Sequence, residues 1–96
     1  GKLGKMMTGW QYINNIWYYL NEKTDGRQGA MYHNTWAQLP YNGTVEWYYF
    51  DENGYMKTGW ILYKDAWYYC GESGAMLVNT TTPDGYYVNG DGVWVQ

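Results

Sequence analysis

The sequence has little of what usually stabilises or charges a small domain. Among its 96 residues are a single cysteine, Cys70, a single phenylalanine and two prolines, and nine acidic side chains outnumber six basic ones. One cysteine cannot form an internal disulfide, and we expect it to be a small buried apolar residue. A net charge of −3 with dispersed basic residues provides no basic stripe of the kind that nucleic acids and anionic membranes require. No apolar run approaches the roughly 18 residues of a membrane span, so membrane insertion is not predicted.

Sequence signatures of catalysis and of metal or cofactor binding are absent as well. The chain has no Gly-x-Ser-x-Gly motif, P-loop, His-Glu-x-x-His motif or dinucleotide fingerprint, and its one histidine, His33, has no second histidine or paired cysteine nearby. Asp84, Asn89 and Asp91 lie among glycines, but they lack the oxygen spacing and closing glutamate of a calcium loop, so we predict turns there. We therefore predict no enzyme activity, no catalytic or metal-binding residues and no cofactor.

Aromatic and glycine residues are abundant instead. The chain carries 7 Trp, 13 Tyr and 13 Gly, and the glycines recur at intervals instead of clustering in a linker. A chain this short buries only about 60% of its unfolded surface, so a dense packing of large side chains is needed. Trp and Tyr provide that area with a polar edge, a composition typical of binding surfaces. The recurring glycines indicate many tight turns.

The aromatic residues follow an internal repeat of about 20 residues. The segment 6–10 resembles 56–60, and in both copies a Trp-Tyr-Tyr sequence begins seven residues after the first tryptophan. Trp-Tyr-Tyr occurs three times, and a degenerate fourth copy runs from Tyr86 to Trp94, where Trp94 replaces the methionine of the other copies. We predict one module over residues 1–96, with the last repeat acting as a C-terminal cap. The predicted repeats cover roughly 6–31, 31–56, 56–76 and 76–96.

Two copies depart from this pattern. The first has five extra residues, which predicts an insertion around 21–27. The second opens with Asn34-Thr35-Trp36 instead of Thr-Gly-Trp, and its two tryptophans are eleven residues apart instead of seven. We expect a longer hairpin loop there, over residues 40–44.

The spacing of the paired tryptophans fits a β-hairpin with a two-residue turn. Asn14-Asn15 and Lys64-Asp65 lie at the midpoints and are flanked by β-favouring residues. Such a turn fixes the strand register, and strand alternation then leaves both faces of each hairpin apolar. A lone hairpin is only marginally stable in water, so we predict an all-β solenoid of stacked two-stranded β-hairpins, about three full repeats plus the degenerate cap. The pairs predicted for the first hairpin are Ile13 with Ile16, Tyr12 with Trp17, Gln11 with Tyr18 and Trp10 with Tyr19.

Stacked hairpins would bring three aromatic rings together at each junction, two tryptophans from one copy and the first tyrosine of the next Trp-Tyr-Tyr. A box of rings suits a trimethylammonium group, because the ring quadrupoles attract a soft cation and the methyl groups bury apolar surface. Each ring contributes about 0.5 to 2 kcal/mol, which predicts weak, millimolar single sites. Several sites facing a polymer that repeats its ligand gain avidity through effective concentration.

The pattern Gly-x-Met-x-Thr-Gly-Trp, followed after six residues by Trp-Tyr-Tyr, closely resembles the choline-binding or cell-wall-binding repeats of Gram-positive surface proteins and lysins, and the related glucan-binding repeats. The resemblance extends from Gly4 to Trp94 and implies a left-handed solenoid. In that family a site combines the two tryptophans of one repeat, a tyrosine of the next and often the intervening methionine. The irregular second repeat counts against choline binding at the last of the three sites that the resemblance implies. The three sites, in descending order of fit, are Trp60, Trp67, Met76 and Tyr86; Trp10, Trp17, Met31 and Tyr48; and Trp36, Trp47, Met56 and Tyr68.

The resemblance implies a non-catalytic module that anchors a secreted protein at the bacterial cell surface. Its expected partner is choline-bearing teichoic acid or a similar wall polymer. Two alternatives stay open: binding of glucan or another polysaccharide by exposed tryptophan faces, and a structural spacer or homodimerisation arm without a ligand. A weak, saturable response to choline separates the first hypothesis from both alternatives.

Overall fold

The structure is a computed structural model that describes residues 8–21 and 30–96, and every regular element in these ranges is a β-strand. This confirms the predicted all-β class built from two-stranded antiparallel hairpins. The predicted insertion around 21–27 lies outside the described residues, except for Asn21. Among the described residues there is no helix with the length and apolar character needed to cross a membrane. The strands are β1 (Gly9–Ile13), β2 (Ile16–Leu20), β3 (Thr35–Tyr41), β4 (Thr44–Phe50), β5 (Gly59–Tyr63), β6 (Ala66–Cys70), β7 (Thr80–Thr81), β8 (Tyr87–Val88) and β9 (Trp94–Val95).

The predicted strand register is confirmed in the first and third hairpins. In β1–β2, Ile13 opposes Ile16 and Trp10 opposes Tyr19, and all four predicted pairs are present. The turn residues Asn14 and Asn15 have φ angles of 53° and 68°, the left-handed values that a tight two-residue hairpin turn requires. Lys64 and Asp65 adopt the same conformation in β5–β6, with φ angles of 48° and 68°. Two different residue pairs therefore form the same tight turn.

The second hairpin has no enlarged loop, so the loop predicted over residues 40–44 is wrong. Its turn is again two residues long, Asn42 and Gly43, with φ angles of 52° and 87°. The additional residues lengthen β3 and β4 to seven residues each, against five in β1 and β2. Asn-Gly is the residue pair most suited to this turn, so the extra chain is added to the strands and not to the loop.

A four-residue turn follows each of the strands β4, β6 and β8, and another, from Thr82 to Gly85, lies between β7 and β8. In each turn the N–H of the closing glycine donates to the carbonyl oxygen three residues earlier, for example from Gly92 to Asn89 at 2.9 Å. The closing glycines have φ angles between 82° and 94°, values that a β-carbon would strain. The Asn89 side chain accepts hydrogen bonds from the N–H groups of Asp91 and Val93. Asn89 and Asp91 are thus turn residues, as predicted.

The chain forms two compact units. The first contains the described residues up to Thr35 together with Phe50–Met56, and the second contains Trp36–Tyr49 and Lys57–Gln96. Phe50 and Tyr19 are buried in the first unit. Leu39, Tyr48, Ile61, Cys70 and Val88 are buried in the second. The repeat boundaries predicted from the sequence stay a prediction.

A short segment after each Trp-Tyr-Tyr strand connects consecutive repeats within the second unit. Met76 forms an antiparallel bridge with Cys70 of its own repeat, while its N–H donates to the carbonyl oxygen of Trp47, one repeat earlier, at 2.9 Å. Val93 likewise bridges to Tyr68 one repeat earlier. Each hairpin in this unit is therefore completed by backbone from the repeat that follows it.

The last repeat keeps this plan in shortened form. Thr81 opposes Tyr87 where Trp60 opposes Tyr69 in the preceding repeat, and the strands β7 and β8 are two residues long instead of five. The outer part of the hairpin is replaced by a turn in which the Gly85 N–H donates to Thr82. The strand β9 adds to β8 and makes a three-stranded sheet. The C-terminal repeat is thus a degenerate one, as the sequence predicts.

Cys70 is almost completely buried, with 1% of its surface exposed. Burial raises the pKa of its thiol to about 12, although a backbone hydrogen bond involving Tyr49 acts in the opposite direction. A thiol with this pKa stays protonated at neutral pH and is a poor nucleophile. The predicted role as a small buried apolar residue is confirmed.

Candidate functional site

An aromatic cavity of about 310 Å³ lies in the second unit, lined by Trp60, Trp67, Tyr86 and Trp94. Trp60 and Trp67 come from the paired strands β5 and β6, and the register places them on the same face of the hairpin. Tyr86 immediately precedes β8, and Trp94 begins β9. Side chains from two consecutive repeats therefore close one cavity. We call these four residues the aromatic cage.

The rings of the aromatic cage meet edge to face. The ring centroids of Trp60 lie 6.5 Å from Trp67, 6.0 Å from Tyr86 and 6.4 Å from Trp94, with interplanar angles of 86°, 76° and 69°. Tyr86 and Trp94 are also edge to face, at 6.0 Å and 87°. Rings at such angles form the walls of a corner and not a closed stack, so their faces can surround a guest.

A carboxylate is fixed against one wall of the cage. The indole Nε1–H of Trp60 donates to Asp84 Oδ2 at 2.9 Å, and the hydroxyl of Thr82 donates to Asp84 Oδ1 at 2.5 Å. The Thr82 hydrogen bond, and after it the Trp60 hydrogen bond, lower the pKa of Asp84 below its usual value. The group is therefore ionised at neutral pH. Sequence reasoning placed Asp84 in a turn, which is correct, but did not connect it with the cage.

The structure brings together three of the four residues predicted for the best site. Trp60, Trp67 and Tyr86 line one cavity, and the fourth wall is Trp94 where the sequence assignment had Met76. Met76 lies against Gly92, where a β-carbon would come within 2.7 Å of the methionine Cε. Trp94, at the methionine position of the following repeat, thus supplies the fourth ring of the cavity. The signal was present in the sequence, since Trp94 occupies the methionine position of the fourth copy.

The predicted site in the irregular repeat has a different environment. The centroid of Trp36 lies 5.2 Å from Tyr68, as the prediction requires, but it also lies 5.2 Å from Tyr49 and 6.3 Å from Tyr63. The indole Nε1 of Trp36 is buried. Trp47 is partly exposed, and Met56 belongs to the first unit. Trp36 is therefore surrounded on several sides by tyrosine rings of its own unit.

The remaining predicted site has its members in both units. Trp10 and Trp17 meet edge to face at 6.0 Å and 87°, an arrangement close to that of Trp60 and Trp67. Met31 lies against Gly54 in the same unit, and Tyr48 is buried in the second unit. Ligand binding at this site, and at the other two, stays a prediction.

No group of three or more histidine, cysteine, aspartate or glutamate side chains in residues 8–21 and 30–96 is arranged to hold a metal ion. The chemistry that the cavity offers comes from aromatic faces with one carboxylate nearby. Such a site can hold a guest by cation–π attraction and apolar contact.

Comparisons with known proteins agree with this architecture. Residues 57–94 match a family model described as choline-binding repeat, and residues 8–23 and 46–56 match one described as cell wall binding repeat. A search of curated proteins found no match. The family matches cover the segment that contains the whole aromatic cage.

Solved structures extend the likeness to nearly the whole chain. The choline binding domain of Spr1274 in Streptococcus pneumoniae is 43% identical with a TM-score of 0.74, and the alignment covers 94% of this chain and 96% of that one. Choline binding protein F from Streptococcus pneumoniae, solved with a peptidoglycan analogue, is 49% identical with a TM-score of 0.75 over 99% of this chain. This chain spans only 28% of that protein.

A more distant structure carries a similar region inside a larger protein. The modular autolysin LytC from Streptococcus pneumoniae, solved with a synthetic peptidoglycan ligand, is 28% identical with a TM-score of 0.62. The alignment covers 92% of this chain and 23% of the autolysin. The repeats, the hairpin register and these likenesses lead to one conclusion. This chain belongs to the choline-binding repeat family of cell-wall-binding proteins.

Proposed function

We propose that this chain is a non-catalytic binding module that attaches its protein to choline-bearing polymer of the bacterial cell wall. The aromatic cage of Trp60, Trp67, Tyr86 and Trp94 carries the proposal, because four rings line an open cavity of about 310 Å³. Cation–π attraction draws a quaternary ammonium group to ring faces, and its methyl groups bury apolar surface there. The matching relatives support the proposal, since one is choline binding protein F and another is the choline binding domain of Spr1274.

Choline is favoured over a neutral sugar by the charge beside the cage. Asp84 is held within hydrogen-bonding distance of Trp60 and is ionised at neutral pH. A neutral glycan gains from ring stacking but nothing from this charge, whereas a cation gains from both. Binding to a neutral polysaccharide is the second candidate, because the exposed tryptophan face of Trp67 could also stack on a sugar ring.

The test is titration with choline to tens of millimolar, followed by tryptophan fluorescence and thermal unfolding. We expect saturable, millimolar binding that stabilises the fold, because a ligand that binds only the native state raises its unfolding temperature. Trp60→Ala and Tyr86→Ala should weaken binding by about tenfold or more, as each removes a wall of the cage.

Tyr87→Ala is the matched control. Tyr87 follows Tyr86 in sequence and is similarly exposed, 46% against 49%, but it does not line the cavity. Its affinity for choline should stay within about twofold of the unsubstituted protein. If the unsubstituted protein does not bind choline but is retained on a dextran column, its ligand is a neutral glycan. Indifference to both ligands would favour a spacer or a dimerisation arm.

A further inference from the structure

We propose that Thr82 and Asp84 form a positioning pair that makes the aromatic cage selective for cationic over neutral guests. The pair holds the indole ring of Trp60 and the backbone of Tyr86, and it sets a permanent negative charge beside the indole. This inference rests on the proposed function, since it deepens the assignment of the same cavity.

Three hydrogen bonds connect the indole of Trp60 with the backbone of Tyr86 through this pair. The N–H of Tyr86 donates to the Thr82 hydroxyl oxygen at 3.1 Å, and that hydroxyl donates to Asp84 Oδ1. The other carboxylate oxygen accepts the indole N–H of Trp60. Thr82 is 3% exposed, so its hydroxyl is held in a single environment. Hydrogen bonds to an ionised acceptor are stronger than neutral ones. This series of hydrogen bonds therefore resists rotation of the Trp60 ring.

The fold explains why a carboxylate occupies this position. In the third repeat the hairpin extends to Tyr63, and its ring contacts Trp36 of the preceding repeat at 6.3 Å. In the last repeat the hairpin is cut short, and the turn from Thr82 to Gly85 replaces its outer part. A carboxylate thus meets Trp60 where an aromatic ring meets Trp36. The shortened strands also leave no counterpart of Tyr63 in the last repeat.

The pair acts on binding in two ways that can be separated. Accepting the indole N–H orients Trp60, and this helps any guest that uses the ring face. The negative charge attracts only a cationic guest, and it raises the negative potential at the ring to which it is hydrogen bonded. Because Asp84 is exposed to solvent, salt should screen the second effect and leave the first.

The experiment compares choline with 3,3-dimethyl-1-butanol, which has the same shape but a carbon in place of the charged nitrogen. Asp84→Asn retains an oxygen that can accept the Trp60 hydrogen bond and removes the charge. We expect it to weaken choline binding by about twofold to fivefold and to leave binding of the neutral alcohol unchanged, as befits an exposed charge pair. Asp84→Ala should weaken both ligands, because the ring also loses its partner.

Asp91→Asn is the matched control, since Asp91 is an exposed aspartate in the neighbouring turn that does not line the cavity. It should change neither affinity. Equal loss of both ligands in Asp84→Asn, or no loss of choline binding, overturns the inference. Loss of choline binding in Trp60→Ala with none in Asp84→Asn would overturn the inference and leave the proposed function in place. No response of the unsubstituted protein to choline would overturn the proposed function itself.

A salt series on the unsubstituted protein keeps the proposal testable should Asp84→Asn fail to fold. The salt concentration is raised from about 0.05 to about 0.5 M sodium chloride, which shortens the screening length to below about 5 Å. The affinity for choline relative to that for 3,3-dimethyl-1-butanol should then fall toward the ratio of a site without the charge. A ratio that does not change over this range overturns the charge-selectivity inference. Near-ultraviolet circular dichroism establishes which variants keep the native packing of their aromatic rings.

Discussion

Two tryptophans in equivalent positions of the second unit have opposite surroundings. Trp60 opens onto a cavity and donates its indole N–H to Asp84, whereas Trp36 contacts the rings of Tyr49, Tyr63 and Tyr68 and has a buried Nε1. Both stand at the start of a hairpin and oppose the second tyrosine of their own Trp-Tyr-Tyr. The difference comes from the next hairpin along the chain, which is full length behind Trp36 and shortened behind Trp60.

The comparison shows that the repeat motif alone does not determine whether a binding cavity forms. Each hairpin begins with a tryptophan that opposes Trp-Tyr-Tyr, but the following repeat decides whether tyrosine rings or an open cavity lie against that tryptophan. We call the surroundings of Trp36 the closed junction, defined by Tyr49, Tyr63 and Tyr68. The two junctions can therefore be compared through the unfolding free energy and the choline binding of variants at each.

The largest expected effect is on stability at the closed junction. Trp36→Ala should lower the free energy of unfolding by about 3 kcal/mol, because it removes a large ring from among three others. Trp60→Ala should cost less, since one side of that ring faces a cavity, but it should reduce the stabilisation that choline provides, because the variant binds choline more weakly. Urea unfolding with and without choline measures both quantities. A smaller loss for Trp36→Ala than for Trp60→Ala would contradict the assignment of the two junctions.

Opening the closed junction should have an intermediate effect. Tyr63→Ala removes one of the rings over Trp36 and should destabilise the fold by about 1 to 2 kcal/mol. It should also speed hydrogen exchange at the Trp36 indole N–H, which nuclear magnetic resonance can follow. Leu62→Ala is the control, because Leu62 is exposed on the adjacent position of the same strand. Equal exchange rates in the two variants would show that Tyr63 does not cover Trp36.

The smallest effect concerns Cys70, which is buried in the second unit and whose pKa is raised to about 12 from a model-peptide value of 9.0. A raised thiol pKa means that the native state keeps its proton longer than the unfolded state. Its contribution to stability is therefore complete below pH 9 and is lost as the pH rises from 9 toward 12.

Urea unfolding at pH 7.5 and pH 9.5 measures that loss, which should be below about 1 kcal/mol at the higher pH. Cys70→Ala should lose less stability over the same interval, since it has no thiol to ionise and the tyrosines are common to both proteins. The thiol should also react slowly with a disulfide reagent while the protein is folded. Rapid labelling at pH 7.5 would show that Cys70 is accessible.

Most of the fold follows from local rules of turn type and strand alternation that can be applied to the sequence directly. A two-residue turn fixes the register of β1–β2 and β5–β6 without any tertiary information. The Asn42-Gly43 pair carried the same signal, and the larger spacing of the surrounding tryptophans obscured it. The length of a gap between two motifs does not tell whether the added residues extend strands or a loop.

The membership of the site was harder to predict than the fold. Trp60, Trp67 and Tyr86 follow from stacking successive hairpins in order, and the structure brings them together. The fourth wall, Trp94, does not follow from that stacking. The segment containing Met76 instead makes its backbone hydrogen bond to Trp47, one repeat earlier. Asp84 gave no sequence signal of its role, since an aspartate before a glycine is first of all a turn residue.

The length of the second hairpin has a further consequence for how such modules vary. Its strands exceed those of the first by two residues each, an even number. Side chains alternate across a strand, so this increment keeps Trp36 and Tyr49 on the same face as their counterparts, whereas one added residue per strand would turn the tryptophans to the other face. Hairpin length in this family is thus subject to a parity constraint: arms can grow or shrink in steps of two residues per strand without reversing which side of the hairpin offers its rings to a ligand.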